Sequence, residues 1–147
     1  MIKILEQQDS QELEDLLCAV NGEEYRALAQ ACIACMFSHD FRRPVFLTAK
    51  EGQALIGAAA ISEEMFTVNT WGISWVSVLP GHRGKGLGLE LVSACVAEIS
   101  KRISKRSTII LGTYPGKTRL YEKAGFSGAA TDHEGGCFMT RFVDPAL

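Results

Sequence analysis

The sequence lacks a long apolar run, and it lacks an excess of charge of either sign. Its longest apolar stretch, residues 27–37, is about half of the ~20 residues that a helix needs to cross a bilayer, and Gln30 interrupts it. Lys and Arg total 15 against 17 Asp and Glu, which gives a net charge of -2. A protein that coats nucleic acid needs a basic excess to displace counterions. We therefore expect neither a membrane nor a nucleic acid as partner.

The sequence also lacks the cysteine pattern of a disulfide framework or a zinc site. Its five cysteines are odd in number and irregular in spacing. Cys32 and Cys35 form one CxxC pair in an apolar helical run, with no second pair or nearby His pair to complete a tetrahedral site. We expect buried core thiols and no metal. Free thiols, and an N-terminus without a signal-peptide pattern, predict a cytoplasmic location.

The sequence does contain hydrophobic and charged residues in the proportions of an ordinary globular protein. It has 147 residues, of which 47% are hydrophobic and 22% are charged. This is enough apolar material to bury a core, so disorder as the main state is excluded. The length suits one domain over residues 1–147, without repeats or linkers.

The spacing of apolar residues predicts an α+β fold. Period-two and β-branched patterns indicate strands at residues 2–6, 45–49, 53–62, 68–79, 108–111, 126–130 and 136–143. Helical periodicity indicates helices over 11–20, 23–38, 87–104 and 117–124. The inner stripe predicted for the second helix is Leu28, Ala31, Cys32, Cys35 and Met36. This order of elements predicts a mixed, mostly antiparallel central sheet flanked by helices, with one parallel segment.

A glycine-rich turn between a strand and a helix carries the clearest functional signal. Gly84, Gly86 and Gly88 stand at every second position, so the backbone can approach a ligand closely and several amides can point into one concavity. The helix that follows adds the positive end of its dipole. Arg83 and Lys85 add positive charge. These features predict a site for phosphate oxygens.

Two common nucleotide motifs do not fit. The dinucleotide pattern GxGxxG requires a third glycine where Leu89 stands. The segment 112–118 resembles a P-loop but has three residues between its glycines instead of four. A nucleotide-binding protein built on this segment stays as a rival interpretation, which tight ATP binding would support.

The pattern Arg83-x-x-Gly86-x-Gly88 after Val78-x-Pro80 resembles the acyl-CoA signature of the GCN5-related N-acetyltransferase (GNAT) family. A second element of that family follows at the expected distance, the segment 120–126 with the sequence LYEKAGF. The resemblance implies that acetyl-CoA is a co-substrate and lies in a splay of the sheet. It implies that the turn binds the pyrophosphate and that the preceding strand pairs with the pantetheine arm. The cofactor-binding residues so implied are Val76, Ser77, Val78, Arg83, Gly84, Lys85, Gly86, Leu87 and Gly88.

The resemblance also implies catalytic roles. Tyr121 matches a tyrosine that protonates or hydrogen-bonds the departing thiolate, which is sensible because phenol and thiol pKa values are close. The amide near Val78 would polarise the thioester carbonyl. Where the family often has an Asn contacting the cofactor, this chain has Tyr114, and Lys117 or Thr118 are the possible substitutes.

The general base is not settled by the residues. The family often carries a Glu on the long strand before the signature, but Gly72 and Ser74 stand at the matching positions. A base acting through water would come from Glu63, Glu64, His82, His133 or Glu134. Alternatively, the amine arrives already neutral and needs no dedicated base.

The acceptor site is predicted on the long strand. Trp71, Ser74 and Glu63 are the candidate acceptor-binding residues, with Trp75, Phe37, Phe41 and Phe66 as further aromatic wall. Strand alternation would place Trp71, Ile73 and Trp75 on one face and Gly72, Ser74 and Val76 on the other. The expected acceptor is a small-molecule or peptide amine, and the expected assembly is a monomer or homodimer. The rival is a non-catalytic acyl-CoA-binding or regulatory domain.

Overall fold

A computed structural model describes residues 1–40, 42–65 and 67–147. Seven strands run through the described chain: β1 (Ile2–Ile4), β2 (Val45–Glu51), β3 (Ala54–Glu63), β4 (Thr70–Val78), β5 (Ser107–Thr113), β6 (Ser127–Thr131) and β7 (Cys137–Val143). Four α-helices accompany them: α1 (Ser10–Asn21), α2 (Arg26–Met36), α3 (Leu87–Arg102) and α4 (Thr118–Lys123). None of the helices in these ranges is long and apolar enough to cross a membrane.

The strands form one sheet in the order β1-β2-β3-β4-β5-β7-β6. Five of its neighbouring pairs are antiparallel, and β4 with β5 is the parallel pair. The crossover between those two parallel strands is α3, as a parallel connection requires. The predicted mixed, mostly antiparallel sheet flanked by helices is therefore confirmed.

The parallel contact between β4 and β5 is short. It comprises three residue pairs, Thr70 with Thr108, Trp71 with Ile109 and Gly72 with Ile110. Beyond Gly72 the two strands diverge, while β4 stays paired with β3 and β5 stays paired with β7. The sheet thus opens into a V-shaped cleft whose apex lies at Gly72.

Helices α1 and α3 lie on opposite faces of the sheet. Gly57 on β3 faces Leu87 and Leu91 of α3, because a Cβ there would lie 3.2 Å and 3.0 Å from their methyl carbons. The next residue of β3, Ala58, pairs with Ser77, whose hydroxyl accepts a hydrogen bond from Asn21 of α1. Since consecutive strand residues face opposite sides, the two helices cover different faces. Buried apolar side chains such as Leu13, Ile61, Leu91 and Ile109 fill both layers.

The predicted inner stripe of α2 is wrong for most of its residues. The buried residues are Ala29, Ile33 and Met36, whereas Leu28 is 53% exposed and Ala31 is exposed. A 3-10 turn over Glu23–Tyr25 precedes the helix, and Arg26 forms an ion pair with Glu14 of α1 at 2.7 Å. These contacts fix the rotation of α2 about its own axis. The buried face of α2 is therefore not determined by apolar periodicity alone.

The cysteines also differ from expectation. All five are free thiols, and Cys18 and Cys95 are buried. Cys32, Cys35 and Cys137 are only half-buried. The expectation that Cys32 and Cys35 are fully buried is therefore wrong. The rotation of α2 leaves both side chains at the border between its buried and exposed faces.

Candidate functional site

The glycine-rich turn connects the end of β4 to the start of α3. After a 3-10 turn over Pro80–His82, Gly84 and Gly86 adopt φ angles of 78° and 84°, which L side chains rarely adopt. Gly86 is the residue that caps α3, and no side chain caps the helix there. The first amides of a 16-residue helix therefore stay available to a ligand at the positive end of its dipole.

A continuous groove runs from this turn along β4. One cavity of about 400 Å³ lies at the turn and is lined by Arg83, Gly84, Gly86 and Leu87 among others. A second cavity of about 510 Å³ lies between β4 and α4 and reaches Tyr121. The residues common to both cavities are Val78, Arg83, Gly88, Arg119 and Leu120. The two segments singled out in the sequence therefore form opposite walls of one groove.

Most of the predicted cofactor-binding residues line this groove, but two do not. Ser77 is 2% exposed and its hydroxyl faces α1, so only its backbone can serve a ligand in the groove. Lys85 is exposed on the turn and lines neither cavity. Arg83 lines both cavities, and its Nε donates a hydrogen bond to the carbonyl of Val78 at 3.0 Å.

Positive charge flanks the groove on both sides. Arg83 comes from the turn, whereas Lys117, Arg119 and Lys123 come from the region of α4. Arg119 and Lys123 are four residues apart on a helix and so share one face. Neither residue was predicted from the sequence, although their spacing beside the segment 120–126 was a usable signal.

The segment 112–118 forms a wall of the groove. It comprises the end of β5, a 3-10 turn over Pro115–Lys117 and the first residue of α4. Lys117 lines the groove, while Tyr114 is 67% exposed. The Thr118 hydroxyl donates to the Pro115 carbonyl at 3.5 Å. Of the two candidates to replace the missing Asn, Lys117 is therefore the one that faces the groove.

Tyr121 lies on the inner side of α4 and is 8% exposed. Its ring meets Phe126 edge-on, with centroids 6.3 Å apart. Burial raises the pKa of the phenol above its ordinary value, and the nearby Cys95 thiol raises it further. The Tyr121 hydroxyl forms no hydrogen bond with any side chain or backbone group of residues 1–40, 42–65 and 67–147. A neutral phenol thus stands at the groove with its proton available.

A β-bulge in β4 shapes the groove at its middle. Ser77 pairs with Ala58 and Ser74 pairs with Ala60, so Trp75 and Val76 both lie opposite Ala59. Trp75 adopts a φ of 56°, which is uncommon for a large residue. The predicted alternation is therefore wrong beyond Ser74. Val76 lines the groove together with Tyr121, and the Trp75 ring packs edge-on against Tyr25 at 6.5 Å.

A separate cavity of about 250 Å³ lies at the apex of the cleft. Its lining includes Ser62, Glu64, Gly72, Ser74, Ile110 and Phe138. Of the three predicted acceptor-binding residues, Ser74 lines this cavity, whereas Trp71 and Glu63 do not. Trp71 and Glu63 instead pair with each other between β4 and β3, and Glu63 is exposed.

Among the described residues of the predicted aromatic wall, none lines the cavity at the apex. Phe37 lines a different cavity between α1 and α2. Phe41 and Phe66 lie outside the described residues. Of the residues that the structure describes, Phe138 of β7 supplies an aromatic side chain to this cavity, and it was not predicted from the sequence.

The candidate bases are widely separated in the fold. His82 lies 3.6 Å from Glu51 near the turn, and His133 lies 3.5 Å from Glu134 on the exposed β6–β7 connection. Glu64 is the one of the five candidates that lines the cavity at the apex.

Comparisons with known proteins agree with this geometry. The model of a family described as acetyltransferase (GNAT) matches residues 10–126. No curated protein sequence matches the chain. A GNAT-family structure from Desulfovibrio desulfuricans is 21% identical, with a TM-score of 0.81 and 99% of each chain covered.

Two further structures are similar at the same level. Aminoglycoside 6'-acetyltransferase type Ii is 20% identical, with a TM-score of 0.80, 100% of this chain covered and 99% of its own. A phosphinothricin acetyltransferase from Sinorhizobium meliloti, solved with acetyl-CoA, is 20% identical, with a TM-score of 0.72 and coverages of 98% and 88%. At these identities the likeness shows the fold.

Proposed function

Because the chain belongs to the acetyltransferase (GNAT) family, we propose that it transfers the acetyl group of acetyl-CoA to the amine of a small molecule or peptide by direct attack. The observation that carries this proposal is the groove, which brings the glycine turn, the open edge of β4 and Tyr121 together. The transferase is proposed to be one domain over residues 1–147.

The residues of the groove fit acetyl-CoA. A Cβ on Gly84 or Gly86 would meet no atom within 4 Å, so the turn leaves open space in front of its amides. The four cations that flank the groove complement the negative phosphates of CoA. Beyond Gly72, the backbone of β4 has an edge without a strand partner, which suits the amides of a pantetheine arm.

Each residue then has a defined role. The amides of residues 83–88 and the helix dipole hold the pyrophosphate, with the side chain of Arg83 alongside. The backbone of Val76, Ser77 and Val78 aligns the thioester, and the amide near Val78 polarises its carbonyl. Tyr121 donates its proton to the sulfur as the carbon–sulfur bond breaks. The chain thus supplies position, polarisation and a proton, while acetyl-CoA supplies the activated acetyl group.

The acceptor site is proposed at the apex of the cleft, where Ser74 lines the cavity. Trp71 and Glu63 do not line it but form the neighbouring β4–β3 pair. The aminoglycoside and phosphinothricin enzymes named above both act on small molecules. The compact chain and the 250 Å³ cavity favour a small molecule over a large protein surface.

The assembly is proposed to be a monomer or homodimer, since β1 and β6 leave two strand edges at the ends of the sheet. A cytoplasmic location is proposed because all five thiols are free.

The first test is acetyl-CoA binding by calorimetry, on wild type and on Gly86→Glu. We expect micromolar binding to wild type and a loss of at least tenfold in the variant. The reason is that the new carboxylate repels phosphate and the φ of 84° disfavours any side chain. Gly81→Glu is the matched control, because Gly81 lies in the same turn without a positive φ and its Cβ would be in open space.

Binding and turnover together separate this proposal from its rival. Release of CoA thiol is measured with a panel of amines, in parallel with binding. Tight acetyl-CoA binding without turnover of any amine would favour a non-catalytic acyl-CoA-binding or regulatory domain. No acetyl-CoA binding to wild type would contradict both.

A further inference from the structure

The side of the sheet on which α1 lies continues beyond the helices that cover it. Helices α1 and α2 pack over β2, β3 and β4. Ala58 of β3 faces α1, and Ser62, four residues further along the strand, points to the same side. Ser62 pairs with Gly72, which pairs with Ile110. Ile110 in turn pairs with Thr140 of β7. Because paired residues share a face, the α1 side of the sheet extends over β5 and β7.

The exposure of β7 shows where the helix layer on this side ends. Toward α3, the side chains of Met139 and Val143 are buried. Toward the α1 side, Phe138 is 38% exposed and Phe142 is 67% exposed. Within residues 1–40, 42–65 and 67–147, the α1 side of β5 and β7 therefore has no packed second layer. A sheet ordinarily buries its apolar face against another element.

This uncovered face carries no charged side chain. It comprises the residues of β5 and β7 that point to the α1 side, namely Thr108, Ile110, Gly112, Phe138, Thr140 and Phe142. The neighbouring edge strand β6 is also uncharged, and all of its residues are exposed. A contiguous exposed apolar patch marks an interaction site. Without cations the face does not suit a nucleic acid or an anionic membrane, whereas it suits another uncharged sheet.

Residues of opposite charge stand at the two ends of the uncovered face. Lys105 lies two residues before β5, at the end where β7 finishes. Glu134 lies on the β6–β7 connection at the other end, where its N–H donates to the Asp132 carboxylate at 2.8 Å and orders the turn. In the part of the chain that the structure describes, no acidic side chain forms an ion pair with Lys105. The ion pair of Glu134 is with its exposed neighbour His133, at 3.5 Å.

We propose that a second copy of the chain packs on the uncovered face, with the two β7 strands antiparallel about a two-fold axis, and that it completes the acceptor cavity. In this orientation Lys105 of one copy lies near Glu134 of the partner subunit, and symmetry repeats the contact. The other two-fold arrangement, with parallel strands, would bring Lys105 to Lys105 and Glu134 to Glu134. The distribution of charge therefore selects the antiparallel arrangement.

The same arrangement brings a side chain of the second copy to the acceptor cavity. The centre of β7 is Thr140, so a two-fold axis there places Phe138 opposite Phe142 of the partner subunit. Sheets that pack face to face lie about 10 Å apart, and side chains from both sheets fill the space between them. Phe138 lines the cavity at the apex together with Ile110 and Gly112, which lie on the same face. The ring of the partner's Phe142 thus closes the cavity on its uncovered side. This role rests on the proposed acetyl transfer, whereas the dimer itself does not.

The first test is analytical ultracentrifugation of wild type and Phe142→Glu. We expect wild type at micromolar concentration to have twice the mass of one chain. Phe142→Glu should raise the dimer dissociation constant about 100-fold or more, because the interface would bury a charge without a partner. Leu28→Glu is the matched control, since Leu28 is also a large exposed apolar residue but lies on α2, and it should stay dimeric. A monomeric wild type, a dimer that survives Phe142→Glu, or equal dissociation of Leu28→Glu would overturn the proposal.

Charge exchange tests the orientation of the two copies. Lys105→Glu and Glu134→Lys should each weaken the dimer several-fold, because each places like charges across the interface. The double variant Lys105→Glu/Glu134→Lys restores opposite charges and should return the dissociation constant to the wild-type value. A double variant as weak as the single variants would refute the antiparallel arrangement.

Isotope-filtered NMR tests the contact at the cavity without any substrate. In a mixed dimer with one subunit carrying ¹³C-labelled phenylalanine, we expect an intermolecular NOE between the rings of Phe142 and Phe138. The signal is assigned by its loss in Phe138→Leu. A dimer without an intermolecular NOE to the Phe142 ring would refute the contribution of the second copy to the cavity.

Kinetics distinguish failure of this inference from failure of the proposed function. Phe142 lines neither part of the groove, so Phe142→Glu should bind acetyl-CoA within twofold of wild type. With the fastest amine of the panel as acceptor, its KM should rise at least fivefold because the cavity stays open. An unchanged KM in a monomeric Phe142→Glu would refute the role of the partner's Phe142. Absence of acetyl-CoA binding or of turnover in wild type would instead count against the proposed function and leave the dimer to be decided by sedimentation.

Discussion

Tyr121 combines two properties that a proton donor requires. It lines the groove beside Val76, so it can reach a group held along β4. Its buried ring and the neighbouring Cys95 raise the pKa of the phenol. The hydroxyl therefore keeps its proton at neutral and mildly alkaline pH, and it can deliver that proton to a leaving thiolate.

We predict that Tyr121→Phe lowers kcat by about 10²-fold, within the range for general acid catalysis, and changes acetyl-CoA affinity less than threefold. The pKa of Tyr121 is checked by tyrosinate absorbance, as the difference between wild-type and Tyr121→Phe titrations. Since its pKa is raised, the difference should titrate above the ordinary value of about 10.

The raised pKa of Tyr121 also affects how the stability of the fold depends on pH. Below about pH 10 both folded and unfolded forms keep the phenol neutral. As pH rises toward the folded-state pKa, the unfolded form ionises first, so the free energy of unfolding falls. Over that pH interval the Tyr121→Phe variant should lose less free energy of unfolding than wild type. A difference spectrum that titrates below pH 10 would contradict the assignment.

Residues of the glycine turn were predictable because their signal is local. Arg83, Gly84 and Gly86 lie within four positions, and the positive φ angles confirm the requirement for glycine at two of them. Glu64 was one of five candidate bases, and nothing in the sequence distinguished it from the other four. A Cβ on Gly72 would collide with its Oε1. This proximity depends on the pairing of β3 with β4, and the spacing of eight residues carries no recognisable pattern.

At the scale of elements, the bulge in β4 is held by a chain of hydrogen bonds. Nδ2 of Asn21 on α1 donates to the Ser77 hydroxyl at 3.0 Å. That hydroxyl donates to the carbonyl of Trp75 at 2.9 Å. The chain fixes the residue with the uncommon φ, and thereby the direction of the Val76 backbone in the groove.

We predict that Asn21→Ala destabilises the fold by about 1 kcal/mol, the usual net worth of one hydrogen bond, and weakens acetyl-CoA binding several-fold. Chemical denaturation and calorimetry measure the two effects. The double variant Asn21→Ala/Ser77→Ala is the control, because both single changes interrupt the same chain. The two losses should be less than additive. Fully additive losses would show that Asn21 and Ser77 act independently.

The positions of helices and strands were predicted better than which helix face is buried. Within the part of the chain that the structure describes, the position and type of each strand and α-helix follow from periodicity, with boundaries shifted by a few residues. The buried face of α2 could not be predicted from periodicity. The stripe of Ala29, Ile33 and Met36 is about as apolar as the predicted stripe that includes Leu28. The contacts of Arg26 with α1 and with Glu23 decide between them, and such contacts are visible only in the folded chain.

At the scale of the whole molecule, the sheet consists of two parts. Strands β1 to β4 form one part, and β5, β7 and β6 form the other. Three parallel residue pairs join them. The order of elements along the chain was sufficient to predict one sheet with a parallel segment, but the length of that segment and the angle of the cleft depend on the packing of α3 and α4.

The short β4–β5 contact also has a consequence for amide exchange. Successive amides of a strand point in opposite directions, so those of residues 74–78 that point away from β3 lack a strand partner. In the ligand-free protein they should exchange with deuterium much faster than the amides of β3. Acetyl-CoA should slow residues 74–78 selectively, as read by hydrogen-exchange mass spectrometry, with β2 as internal reference. Uniform slowing across the sheet would mean that binding tightens the whole molecule. The gap between the strands is thus an interior strand edge, within the sheet instead of at its rim, that an extended ligand with amide groups can complete.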